Sequence, residues 1–510
     1  MLPVEFLIAL LALVAILARA AHALNVPYPV FLVLGGLAVG LVPGTPRVAL
    51  DPDVVLLIFL PALVYYASFY MSPRELRAHA RDVAGLAVGL VLTTMVLVAV
   101  VAHQLIGHLS WAEAFVLGAI VSPTDPAAAT AVFGRLRAPQ WLTTIVEGES
   151  LINDGTALVA LRVAVGAIGG TFSLASAGLE FLGSAAGGVL IGLVAGWVVT
   201  HVRERLDDPP VEITLSLFTP YLAYLPANHL GASGVIAAVT TGLYIGFRAP
   251  AGMFTATTRL QATAFWDVLV FLLNALLFLL VGLQIRPVVE ALGDRSPAFL
   301  AGAAALTVLT VLLTRVAWFF VAGGLAKTKG ERIVLGWSGM RGAVSLAAAL
   351  SIPLHTGGRP LILFLTIATI MVTLVGQGLT LPLVVRRFAP ADPREAEEAE
   401  EHARLQATEA ALERLEEIAG AGDVPQEALE HARRRYELRR SHLTEEAEHH
   451  DEPVLPAARN VQRRALEAER AALDGLHADG EIDQDTARRL GQELDLEEER
   501  WARLEESPLA

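Results

Sequence analysis

No cysteine occurs anywhere in the 510 residues. A disulfide framework, a thiolate metal site and a thiol nucleophile are excluded together. Charge is scarce as well: charged residues make up 18% of the chain and hydrophobic ones 54%, whereas soluble domains carry about 25% charged residues. Mean hydropathy is +0.54. A formal charge of −14 argues against nucleic acid as a partner, because phosphate backbones select basic surfaces. What is left is the composition of a polytopic, all-α membrane protein with the lipid bilayer as its solvent.

The charge is unevenly spread. Residues 391–510 hold 33 of the 52 acidic and 16 of the 38 basic residues, a net −17, while 1–390 carry +3. Two materials are joined near Pro390–Pro393, a membrane domain over residues 1–390 and an acidic tail over 391–510. A bilayer span needs roughly 20 mainly apolar residues with every backbone group paired. Apolar runs between polar or Pro/Gly breaks predict thirteen spans, near 2–18, 27–43, 53–70, 83–106, 112–132, 145–168, 177–200, 211–226, 233–247, 262–285, 298–325, 333–354 and 360–385. The first lacks a basic flank and is followed by others like it, so it reads as a span and not as a removable leader. With the N-terminus outside, sixteen Lys and Arg fall on the inner side and four on the outer. The positive-inside rule then places the tail in the cytoplasm. The tail shows helical patterning over 395–418, 426–443, 457–476 and, after a turn at 477–480, 483–504. That mixture of Glu and Arg suits a solvated helical hairpin, regulatory or docking in role.

Charges inside the membrane domain need a partner, a wet cavity or a function. Asp125, Glu149, Asp154, Arg162, Asp267, Arg315 and Arg341 are the candidates. The fifth span contains Ser122-Pro123-Thr124-Asp125-Pro126. Two prolines around Thr-Asp deprive the helix of donors and leave carbonyls free. Loose carbonyls, a half-helix end and a carboxylate together suit a cation; the same aspartate also suits the cap of a half-helix. The sixth span begins Glu147-Gly148-Glu149-Ser150-Leu151-Ile152-Asn153-Asp154. Ser150 and Asp154 share one face, as do Glu149 and Asn153. Asp154 lies too deep to be a helix-start residue. The twelfth span carries Gly336-Trp337-Ser338-Gly339-Met340-Arg341-Gly342, whose glycines permit both close packing and unwinding. Arg341, a permanent charge, requires an acid, and Glu149 or Asp154 is the expected one. A Pro/Gly-interrupted charged helix in each half of the chain points to inverted repeats, spans one to six and eight to thirteen, with spans five and twelve corresponding.

Ser122–Pro126, Glu149–Asp154 and Gly339–Val344, in that order, resemble the hallmarks of the sodium/proton exchangers of the cation:proton antiporter-1 family. Trp266-Asp267, Asn274 and Gly282-Leu283-Gln284 are similar to its bacterial branch. The resemblance covers roughly 1–390. It implies a homodimer in which broken helices cross in a core (about 83–168 and 298–385) beside a dimerisation scaffold (about 1–70 and 177–285). It implies that Asp154 exchanges the ions, with Thr124, Asp125, Ser150 and Asn153 at the site and Na+ held by Asp154, Asp125, Thr124 and Ser150. Glu149 and Arg341 would form its buried ion pair, with Ser122, Tyr66 and Asp267 supporting. An Asn before the essential Asp goes with electroneutral exchange in the family, so Asn153 implies one cation per proton. Tyr66 is a departure: the family commonly has an acid there, and a tyrosine stays neutral near pH 7.

The expected protein is an inner-membrane Na+/H+ antiporter serving sodium and pH homeostasis. It would need no cofactor and would not be an enzyme; K+/H+ exchange is the alternative, and Li+ a further cargo. A passive cation channel lacks a repeated filter segment. A membrane hydrolase lacks a Ser/His or metal cluster at shared depth, the histidines lying mostly in loops and the tail.

Overall fold

The computed structural model describes residues 4–24, 26–42, 56–168, 174–206, 208–248, 256–293, 295–321, 328–389, 393–421 and 425–448, with 469 and 472. The chain separates into two compact units, 1–391 and 392–510. Among the described residues there is no β-strand.

Each of the thirteen predicted segments falls on a helix or on a helix interrupted once. The first unit contains α1 (Val4–Ala23), α2 (Tyr28–Leu41), α3 (Leu60–Tyr70), α4 (Ala80–Ile106), α5 (Trp111–Val121) and α6 (Ala127–Arg135). It continues through α7 (Gln140–Ile168), α8 (Leu174–Arg203), α9 (Pro209–His229), α10 (Gly234–Arg248) and α11 (Ala256–Leu283). It closes with α12 (Pro297–Val321), α13 (Lys329–Trp337), α14 (Ala343–Leu350) and α15 (Arg359–Phe388). By length and composition, six of the described helical segments can cross a membrane, and five more are shorter apolar helices. Several present large apolar side chains outward, as Leu182, Leu190 and Trp197 do on α8. Lipid is the solvent that makes such a surface stable.

Small residues set the closest contacts. α2 packs along α11 at Gly36 and Gly282, where a Cβ on either glycine would strike the backbone of the facing helix. α3 and α8 pack on α10, α5 lies between α4 and α7, and α12 packs on α4 and α13.

Two helices are interrupted in the same way. α5 opens on a capping box, Ser110 with Glu113, and stops at Ser122; helix resumes at Ala127. α13 opens on a capping box, Thr328 with Glu331, and stops at Ser338; helix resumes at Ala343. Reciprocal capping satisfies the first amides of each outer half-helix. The inner ends, left without helical partners, meet each other.

In the second unit, α16 (Pro393–Ala421) and α17 (Gln426–Glu448) pack together as a hairpin, with Arg433 3.9 Å from Glu416 across it. The helices predicted over 457–476 and 483–504, and the turn at 477–480, lie outside the described residues.

Candidate functional site

The first break is held against the second by backbone and side chain. The Asp125 amide donates to the Met340 carbonyl at 2.8 Å. In return Arg341 Nε donates to the Val121 carbonyl at 3.0 Å. Arg341 Nη1 also bonds the Gly339 carbonyl, and its amide donates to Thr373 Oγ1 at 3.1 Å. Thr373 lies in a π-helical turn of α15, Val372–Gln377. A Cβ on Gly342 would fall on the Asp125 carboxylate, so the crossing admits only glycine at that point.

Asp125 is the cap that the Pro-Thr-Asp-Pro segment allowed: its Oδ1 accepts the Ala127 amide at 2.9 Å. Ser122, a supporting candidate, turns its hydroxyl to the Ala119 carbonyl at 3.0 Å and closes the end of α5. Thr124 ties the break to α7. Ser150 Oγ donates to its carbonyl at 2.9 Å, Asn153 Nδ2 donates to its hydroxyl at 2.9 Å, and that hydroxyl donates to Glu149 at 3.2 Å. The Asn153 Oδ1 is buried with no hydrogen-bond partner among the described residues.

The expected ion pair is corrected. Glu149 pairs with Arg315 of α12, through Nη1 at 2.5 Å and Nη2 at 2.9 Å. Both side chains are almost wholly buried. Arg341 is equally buried yet has carbonyls for partners. The physical reason is the break itself: an unwound segment exposes carbonyls that a guanidinium can take, so Arg341 needs no acid. Arg315 sits inside a continuous helix, where the carbonyls are already used. It donates one Nε bond to Leu335, the neighbouring half-helix end, at 3.2 Å, and its fork goes to the carboxylate. The sequence marks Arg315 as a charge at membrane depth but offers no way to choose between two arginines.

Asp154 is 7% exposed, and its carboxylate has no hydrogen bond or ion pair among the described residues. It opens on a cavity of about 190 Å³ lined also by Thr124, Asp125, Glu147, Ser150, Tyr66, Asn274, Gly342 and Ser345. Asp125 is near enough to act on Asp154 electrostatically. Among the described residues no cluster of three or more His, Cys, Asp or Glu is suited to a tightly held metal. The oxygen donors facing the cavity suit a hard, weakly bound cation instead. Tyr66 lines this cavity but donates its hydroxyl to Asp267 at 2.5 Å; Asp267, one turn of α11 before the cavity-lining Val270 and two before Asn274, is exposed. Its neighbour Trp266 is anchored to Ser216 at 2.9 Å.

A family model described as sodium/hydrogen exchanger, transmembrane, matches residues 8–387. An uncharacterised Na+/H+ exchanger of Mycobacterium bovis is 37% identical over 525 residues, covering 96% of this chain and 95% of its own. The Na+/H+ antiporter ApNhaP of Aphanothece halophytica is 34% identical over 401 residues, 77% of this chain and 75% of its own. Among solved structures, the sodium proton antiporter MjNhaP1 of Methanocaldococcus jannaschii at pH 8 superposes with a TM-score of 0.61 over 74% of this chain and 98% of that one, at 22% identity. That last likeness concerns the fold.

Proposed function

The chain belongs to the sodium/hydrogen exchanger family, and from that premise we propose that it exchanges Na+ for H+ by alternating access at Asp154. One observation carries the reading: a buried carboxylate with no hydrogen bond or ion pair among the described residues opens on a cavity whose polar wall includes Thr124, Asp125 and Ser150, at the crossing of two broken helices. Removing a carboxylate from water favours the neutral, protonated form. A cation bound to the same oxygens favours the anion. Proton and cation thus compete for one group, and the bare carboxylate, an unpaired charge in a low-dielectric site, resists crossing. Each loaded form crosses, so the two ions exchange.

Roles follow from the bonding. Asp154 supplies the exchanging oxygens. Asp125 adds a second carboxylate at the cavity wall, and Ser150 keeps lone pairs after donating to Thr124. Thr124 and Asn153 hold the break on α7. Na+ is a hard cation and suits this set. A neutral amide at 153 leaves Asp154 as the one carboxylate that trades ions, which supports one Na+ for one H+ and no net charge moved. The Lys and Arg distribution supports an inner-membrane protein with its N-terminus outside and its tail in the cytoplasm. A homodimer resting on the scaffold helices, and a role in sodium and pH homeostasis, complete the proposal.

K+/H+ exchange is the second reading. It is favoured by Tyr66, whose hydroxyl stands where the family commonly has an acid and is turned to Asp267. A site with one charge fewer holds the smaller, more strongly hydrated Na+ less firmly.

Proton flux in sealed proteoliposomes decides. An imposed Na+ gradient should drive it, the rate should not change when the membrane potential is clamped, and Asp154→Asn should abolish it. Flux driven by K+ alone would select the second reading. Flux that persists in Asp154→Asn would remove Asp154 from the mechanism.

A further inference from the structure

The cavity at Asp154 has a divided wall. On one side stand α7 and the two breaks, which the bonds of Thr124 and Arg341 join into one body. Thr124, Asp125, Ser150 and Asp154 line the cavity from there. On the other side stand α3 and α11. α11 is locked along α2, where Gly36 and Gly282 bring the two backbones together. In alternating access one such body moves against the other around the site.

The second side is mostly apolar. α11 presents Val270, Asn274 and Leu277 to the cavity, at i, i+4 and i+7 on one helical face. α3 adds apolar side chains and Tyr66, whose hydroxyl is turned to Asp267. Asn274 is the one carboxamide among the described lining residues. It is half-buried, and among the described residues its side chain makes no hydrogen bond. Placing an amide between Val and Leu at membrane depth carries a desolvation penalty that helix packing does not return. A ligand returns it. The carboxamide oxygen is hard and neutral, so it coordinates a cation without adding a charge to the site.

We propose that Asn274 supplies its carboxamide oxygen to the transported cation from the α3–α11 side, and only while the two bodies stand as they do here. The assignment rests on exchange at Asp154. In this access state the ion is held by both bodies; in the opposite one it is held by α7 and the breaks alone. Its affinity then differs between the two faces of the membrane, and cation binding favours the state described here. A proton on Asp154 needs no such ligand, so the asymmetry belongs to the cation.

Right-side-out and inside-out membrane vesicles carrying the full chain each expose one face to added Na+ or K+, and proton flux reads the apparent cation affinity of that face. Asn274→Leu keeps the branched shape and removes both polar atoms. It should weaken the affinity about tenfold on one face, leave the other face unchanged and leave the melting temperature of the purified protein unchanged. Asn274→Asp keeps an oxygen and loses the amide donor, so it should bind the cation at least as tightly as wild type. If it weakens binding as the Leu variant does, the donor carries the effect and the ligand assignment is overturned. Equal loss on both faces, or no loss on either, overturns it as well. Asp154→Asn is measured beside them. With its flux abolished, a failure at Asn274 leaves exchange at Asp154 standing, whereas persistent flux removes both residues from the mechanism.

Discussion

Glu149 and Arg341 are both removed from water, and they find partners of different kinds. Glu149 takes a bidentate guanidinium from Arg315, while Arg341 takes backbone carbonyls that two broken helices release. Deleting one partner of a buried pair typically costs about 3–5 kcal/mol, because the other charge stays buried and uncompensated. Arg315→Ala should therefore cut the yield of folded protein and lower its melting temperature sharply. The Glu149→Gln, Arg315→Gln pair should recover some of that loss. If Arg315→Ala melts like wild type, the pair carries no stability. Tyr66→Phe tests a different point, since it removes the proton given to Asp267 without changing volume. Its Na+ to K+ preference, measured as the ratio of apparent affinities in flux assays, should shift while the melt stays unchanged; an unaltered ratio would leave Tyr66 no role in selectivity. Asp154, Asp125 and Asn153 were legible in the sequence because polar residues in apolar surroundings declare themselves. The partner of Glu149 was not, because pairing across 166 positions depends on how helices are arranged, which no local pattern encodes.

The elements were legible for a related reason. Apolar run length, proline and glycine are local signals, and each predicted segment falls on helix. The interruption of both broken helices was also visible, since Pro123 and Pro126 remove donors and Gly339 and Gly342 allow unwinding. The π-helical turn at Val372–Gln377 was not legible; no residue type there distinguishes it from ordinary helix, and it is the meeting with the Arg341 amide that makes it matter. Gly342 is the element's most exacting residue. Gly342→Ala places a methyl on the Asp125 carboxylate, so it should disturb the cap of α6 and the site at once. Flux should fall by about tenfold or more, from roughly 1–3 kcal/mol of overpacking, whereas Gly302→Ala, which meets nothing, should leave flux intact. Equal flux in the two variants would show that the crossing tolerates a Cβ.

At the scale of the molecule, the composition shift near residue 390 coincides with the division into two compact units at 391 and 392. Removing residues 393–510 should leave a membrane unit that folds and exchanges ions, with its pH profile displaced; an unchanged profile would make the acidic tail a passive extension. The absence of cysteine makes orientation directly measurable, since a single cysteine introduced at Arg77 or at Gly293 would be the only thiol for an impermeant reagent. Labelling of the second but not the first in intact cells agrees with an external N-terminus, and the reverse pattern inverts the molecule. The crosswise stitching of the two breaks, Asp125 to Met340 and Arg341 to Val121, carries a consequence in time. Neither strand of the crossing can open without releasing the other, so their amides share one opening event. In deuterium exchange, peptides spanning 119–127 and 336–344 should take up label in step, at a common rate well below that of the helix ends around them, and Gly342→Ala should speed both by the same factor.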